Sequence, residues 1–163
     1  MADILGQDTI DQSEDTQKGK FLTFYMGNEC YGIEIKYVTE IIGLQPITEI
    51  PEMPEYIKGI INLRGKIIPV MDVRLRFKKP FREYNDRTCI IVIEIRGISV
   101  GLIVDTVSEV ISIPEDEIVA PPSMTKEGNK YIKGVGKVGS DVKLLLDSDK
   151  LLNETDLENL SDF

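Results

Sequence analysis

Of the side chains suited to proton transfer, redox or metal chemistry, this chain has many carboxylates, two cysteines and no histidine, and their spacing matches almost none of the familiar arrangements. The 163 residues include no histidine, so the side chain that most readily carries a proton near neutral pH is missing. The two cysteines, Cys30 and Cys89, each lie in an apolar, strand-like run, and no CxxC occurs. Reduced, buried thiols are the plain reading of such positions, and a disulfide is the other. No Cys/His cluster exists for zinc, and neither a P-loop nor a GxSxG turn is present. Asp72, Asp105 and Asp147 follow apolar segments, where carboxylates usually cap turns. A glycosidase-like carboxylate pair is the one catalytic arrangement left open. No cofactor or metal is expected. Basic residues gather at Arg74, Arg76, Lys78, Lys79 and Arg82, with Phe77 and Phe81 among them. They read as a solvated linker, or as a docking surface for an acidic protein, with phosphate or lipid headgroups a third option.

Charge placement narrows the classes further. The net charge is −9, but residues 1–20 carry −3 and residues 147–163 carry −5, which leaves about neutrality for the body. A near-neutral body disfavours nucleic-acid binding. The longest apolar run is Cys89–Ile93, far short of the roughly 20 residues of a membrane helix. The N-terminus lacks the basic start and apolar stretch of a signal peptide. The expectation is a cytoplasmic protein with no direct membrane insertion. With 42% hydrophobic residues the chain can build a core.

The elements that must position these groups are short and rich in Ile and Val. Residues 1–19 read as a flexible acidic tail. FLTFYMGNECYGIEI predicts a hairpin turning at Gly27-Asn28, and KYVTEII a short helical or irregular turn. PITEIPEMPEY, with three prolines, predicts an extended loop. Further hairpins are predicted around Arg64-Gly65, Arg96-Gly97 and Gly139-Ser140. A terminal helix should start near Ser148, capped by Ser148 or Asp147. The pattern is that of small β-barrels or a sandwich.

One motif occurs twice. YGIEIKYVTEII (31–42) aligns with VGLIVDTVSEVI (100–111), pairing Gly32 with Gly101 and Glu40 with Glu109 at an offset of 69. YIKGIINLRGKIIPVMD (56–72) aligns with YIKGVGKVGSDVKLLLD (131–147) at an offset of 75. Two matches in the same order imply two similar β-lobes. Each alone is marginal in size, so the lobes should pack together and leave a groove at their junction.

The segment 56–74, YIKGIINLRGKIIPVMDVR, with the opening FLTFYMGNECYGIEIKYVTEI and the later GISVGLIVDTVSEVISIP, resembles the CheW-like domain family of chemotaxis coupling proteins. The resemblance runs from about Phe21 to Leu152. It implies a mainly β fold of two SH3-like five-stranded barrels on a shared hydrophobic core, with short helices. The CheW-like domain would span 20–152, with a first lobe at about 20–86, a second at about 87–147, and a terminal helix that can pack back on the first. Residues 153–163 would form an acidic tail. The family implies no enzyme activity. It implies a scaffold that couples the cytoplasmic hairpin tip of chemoreceptors (methyl-accepting chemotaxis proteins) to the regulatory domain of the histidine kinase CheA, at receptor clusters on the inner face of the membrane. Carried onto matching positions, receptor binding falls to Val38, Glu40, Ile41, Asn62 and Arg64, and kinase binding to Ile57, Gly59 and Ile60. Plainer roles compete: core packing for Val38 and Ile41, a surface ion pair for Glu40 and Arg64, a strand bulge for Gly59. Arg64 either pairs with Glu40 or meets the receptor directly. The second copy lacks this arginine, so the receptor role is assigned to the first. The alternatives are the CheW-like part of a larger adaptor, against which the initial Met and terminal helix argue, and a small-ligand-binding β-barrel.

Overall fold

The structure, a computed structural model, describes residues 17–121 and 130–152 together with Asp156 and Leu160. Most of the two expected acidic tails lies outside these residues, as does part of the loop before Tyr131. Among the described residues the fold is mainly β, in two sheets with a few one-turn helices. The strands are β1 (Lys20–Met26), β2 (Glu29–Glu34), β3 (Val38–Gly43), β4 (Ile57–Leu63), β5 (Lys66–Asp72), β6 (Cys89–Ile95), β7 (Ile98–Val104), β8 (Thr106–Ser112), β9 (Ile118–Val119), β10 (Ile132–Val138) and β11 (Asp141–Leu146).

The sheets cut across the expected division at residues 86 and 87. One has the order β3-β6-β7-β5-β4, the other β8-β1-β2-β11-β10-β9. Each half of the chain therefore lends its first hairpin to the other half's sheet. The repeat offsets reproduce this pairing by pairing. The parallel junction Val70↔Gly101 becomes Leu145↔Gly32 when 75 is added to one partner and 69 subtracted from the other. Gly32 and Gly101 stand where a strand from the other half crosses. A Cβ on Gly101 would lie 2.9 Å from the Val70 side chain, and one on Gly32 3.0 Å from Leu145. That close approach accounts for the glycine in both copies.

Both sheets roll up. β3 and β4 are the outer strands of the five-stranded sheet, yet Thr48, just beyond β3, exchanges two 2.9 Å backbone hydrogen bonds with Ile60. β9, just beyond β8, pairs with β10 in the same way. The core common to both sheets holds Phe24, Ile33, Met71, Ile93, Leu102 and Leu146, all at 1% exposure or less. An aromatic chain crosses it, Phe24–Tyr31–Phe77–Tyr131, with successive centroids 5.3–5.7 Å apart.

Three expectations are corrected. KYVTEII is a single 3-10 turn, Ile35–Tyr37, followed by strand β3, because Val38, Thr39, Ile41 and Ile42 are β-branched and favour extended backbone. The basic segment is not a solvated linker. It opens with the one-turn helix Val73–Arg76, capped by Asp72, whose carboxylate accepts from the Leu75 amide, and its arginines are engaged internally. Asp156 and Leu160 do not behave as tail residues: they are 3% and 2% exposed. Asp147 is the cap of the helix Ser148–Leu151 and accepts from the Asp149 amide.

Candidate functional site

Arg64 and Gly65 form the turn between β4 and β5. Both have positive φ, 53° and 88°, the signature of a two-residue hairpin turn whose twist matches its strands. Glycine adopts this freely, while arginine does so at a steric cost. Asn62 stabilises the turn, its Oδ1 accepting from the Gly65 amide at 2.8 Å. The turn projects Arg64 toward the far edge of the rolled sheet, where its Nη2 donates to Glu40 Oε2 at 2.5 Å. Arg64 and Glu40 are 70% and 32% exposed, so solvent screens the pair and its net stabilisation is about 0–1 kcal/mol. Its consequence is placement, since it joins two segments 24 residues apart on one solvent-facing rim. In the second lobe Gly139 stands in Arg64's place and offers Glu109 no cation.

The predicted receptor residues thus come together. Ile41 is 44% exposed beside Glu40, and Leu44, just beyond, is 40% exposed. Val38 is half-buried and packs on the shared core, which leaves Glu40, Ile41, Asn62 and Arg64 to present a surface. Leu44 was not anticipated; an apolar residue in a loop becomes informative only once its exposure is known.

The predicted kinase residues do not all reach the surface. Ile57 is 6% exposed and faces the core. Gly59 is buried at a β-bulge with φ 146°, and any Cβ there would overlap the carbonyl of Thr48. Its bulge is repeated at Gly134. Ile60 is half-buried. The exposed apolar group on this hairpin is Ile67, at 39%, in register with Asn62.

Two charged clusters explain the basic segment. Arg74 binds Asp105 in a two-pronged fork, at 2.8 and 2.7 Å, and Asp105 also accepts from Arg82 at 3.1 Å and from the Gly27 amide at 2.7 Å. Burial pushes the Asp105 carboxyl up, but the bonds from Arg74 and Gly27 and the charges of Arg74 and Arg82 outweigh this and hold it below its ordinary value. The fork holds Arg74 above its ordinary value. This cluster ties the β1–β2 turn, the end of β7 and the helix Val73–Arg76 together.

Arg76 is 7% exposed and lies between the two halves. Its guanidinium sits 4.2 Å from the ring of Tyr56 and 5.0 Å from that of Tyr131, the tyrosines that open the two YIKG repeats. Its Nε donates to the Leu151 carbonyl at 2.7 Å, and Nη2 is 3.7 Å from Asp156. Arg76 and Leu151 are themselves equivalent at the offset of 75, so this contact marks the axis relating the halves. The paired tyrosines were the sequence signal for it; nothing in the sequence connected them to Arg76.

Among the described residues no group of three or more Cys, Asp or Glu is arranged to hold a metal ion. No helix among them is long and apolar enough to cross a membrane.

Residues 20–156 match the family model described as CheW-like domain. The chain is 38% identical over 144 residues to the chemotaxis protein CheW of Klebsiella aerogenes, covering 88% of this chain and 87% of that one. It is 35% identical over 136 residues to the chemotaxis protein CheW of Bacillus subtilis, covering 83% and 87%. Among solved structures it resembles the scaffolding protein TtCheW from Thermoanaerobacter tengcongensis, with a TM-score of 0.75 and 42% identity over 79% of this chain and 88% of that one.

Proposed function

This chain belongs to the CheW-like domain family, and on that premise we propose that it couples chemoreceptors to the histidine kinase CheA at receptor clusters on the cytoplasmic face of the membrane. Membership of that family, and likeness to a scaffolding protein of the same fold, point to a non-catalytic adaptor in chemotaxis. The observation that supports the receptor half of the reading is the Arg64–Glu40 rim. Two segments named from the sequence meet there beside exposed Ile41 and Leu44. A receptor helix tip could lay apolar side chains on these two residues and polar ones against the ion pair and Asn62. Arg64 then acts mainly through Glu40, by fixing the rim, and has spare donors for the receptor.

The kinase contact is proposed on the outer face of the β4–β5 hairpin, where Ile60 and exposed Ile67 stand. Ile57 and Gly59 shape that face from beneath. The CheA regulatory domain has a similar barrel architecture by family resemblance, so the contact would be barrel against barrel.

The test mixes the purified chain with a CheA-type regulatory domain and a receptor cytoplasmic hairpin and looks for a ternary complex by sizing chromatography. Arg64→Ala should weaken receptor binding while leaving kinase binding and the melting temperature nearly unchanged. Failure of the wild-type chain to bind either partner would sink the proposal. A melting temperature that collapses with receptor binding would reduce Arg64 to a structural residue.

A further inference from the structure

Along β4, Lys58, Ile60 and Asn62 face outward and alternate with buried Ile57, Gly59 and Ile61. Beside Lys58, at the end of this row away from the Arg64 turn, stands Phe81, with the Lys58 ammonium 5.0 Å from its ring centre. Phe81 is 50% exposed, yet the chain around it is fastened at three neighbouring residues. The Pro80 carbonyl accepts from Arg74 at 3.5 Å, Arg82 donates to Asp105 at 3.1 Å, and the Tyr84 hydroxyl donates to buried Asp72 at 2.7 Å. Tyr84 packs on the apolar residues inside the rolled five-stranded sheet and meets Phe81 edge-on, with centroids 5.4 Å apart. A rigid frame therefore holds a large ring half in water.

A single exposed apolar side chain needs no explanation by itself. The repeat shows what is special about this corner. At the offset of 75, Lys58 corresponds to Lys133, which is paired with Glu34. At the offset of 69, Glu34 corresponds to Ile103, which is buried. The five-stranded sheet thus lacks the acid that its counterpart has, and no carboxylate among the described residues pairs with Lys58. Continuing the offset of 75, Phe81 corresponds to Asp156, which is buried and faces Arg76. One half carries a cation without an acid and an exposed ring; the other carries a closed ion pair and a buried carboxylate.

We infer that Lys58 and Phe81 are docking residues that direct a CheA-type regulatory domain to the five-stranded sheet rather than to its repeat counterpart. This rests on the kinase contact proposed for the outer face of β4–β5, because Lys58 continues the row from Ile60. A partner laid along the hairpin would meet Ile67, opposite Asn62, at one end and Phe81 at the other. It would place an apolar side chain on the ring and a carboxylate on Lys58. An aromatic ring has only two side-chain torsions, and the frame around Phe81 leaves little ordering to be done on binding.

The test is calorimetric titration of the full chain with a CheA-type regulatory domain. Phe81→Ala should bind about tenfold more weakly, as buried interface aromatics do, with a melting temperature within about 3 °C of wild type. Lys58→Ala should bind several-fold more weakly and lose part of the salt dependence of binding. Phe81→Tyr keeps the ring and should bind like wild type. Hydroxyl-radical footprinting read by mass spectrometry should show Phe81 protected in the complex. If Ile67→Asp weakens binding while Phe81→Ala does not, the proposed kinase face stands and this inference falls. If the wild-type chain does not bind the domain, both fall. Where Phe81→Ala melts far below wild type, the footprint and Phe81→Leu, which keeps the contact with Tyr84, decide instead. Protection of Phe81 with weaker binding by the leucine variant supports the inference, and no protection overturns it. Protection of Phe81 in the concentrated chain alone, unchanged by the kinase domain, would assign the ring to a contact between copies and overturn it too.

Discussion

Replacing Arg76 by alanine should cost this fold a large part of its stability, because one side chain satisfies both halves at once. The guanidinium is 7% exposed, stacks between Tyr56 and Tyr131, donates to the Leu151 carbonyl and faces Asp156. A charged hydrogen bond of this kind is worth about 1.5–3 kcal/mol. Cation–π stacking adds roughly 0.5–2 kcal/mol per ring when desolvated. Removing the cation also takes the facing positive charge from the Asp156 carboxylate, 3% exposed, and breaking a buried pair from one side costs about 3–5 kcal/mol in all. These terms overlap, so about 3–5 kcal/mol is the expected total. For a chain of this size that lowers the melting temperature by on the order of 10 °C. Urea unfolding followed by far-UV circular dichroism suits the measurement, since the chain has no tryptophan. The double variant Arg76→Met/Asp156→Asn should regain more than half of the loss, because it removes the uncompensated buried charge and keeps the packing. A loss below about 1 kcal/mol, or a double variant no better than the single one, would refute the account of Arg76 as the joint between the halves.

Other outcomes follow from the same geometry. Gly59→Val should destabilise the fold by several kcal/mol and abolish every binding activity together, since its Cβ would overlap Thr48; a soluble, normally melting variant would contradict the buried bulge. Ile67→Asp should leave the melting temperature within about 2 °C of wild type and selectively weaken kinase binding, measured by calorimetric titration. Asp105 has a lowered folded-state pKa, held down by Arg74, Gly27 and Arg82 against its burial. Its stabilisation is therefore complete above the unfolded carboxylate value near pH 4 and is lost as pH falls through the lower folded value. Asp105→Asn should flatten that part of the stability profile; an unchanged acid limb in pH-dependent urea unfolding would count against it.

Local structure and the presence of two copies are written in the order of the residues. Hairpin turns at Gly27-Asn28, Arg64-Gly65, Arg96-Gly97 and Gly139-Ser140 were legible because two-residue turns need residues that tolerate positive φ. The repeat was legible because Gly32 and Gly101 hold the same close strand crossing, and the two tyrosines of YIKG the same stacking position. Glu40 and Arg64 could be named as candidates and their pairing given as one option, but the choice between pairing and direct exposure depends on how far the five-stranded sheet rolls. The division into lobes was decided by the tertiary structure alone. Hairpin β1–β2 lengthens one sheet and β6–β7 the other, and an antiparallel hairpin has the same local pattern whichever neighbour it joins. Burial of Arg76 and Asp156 was likewise invisible, since a charged residue reads as exposed until the packing around it is known, whereas the bulge at Gly59 was one of its two sequence readings. The motif used twice therefore fixed what each half would look like, while long-range strand pairing fixed that neither half forms its lobe alone.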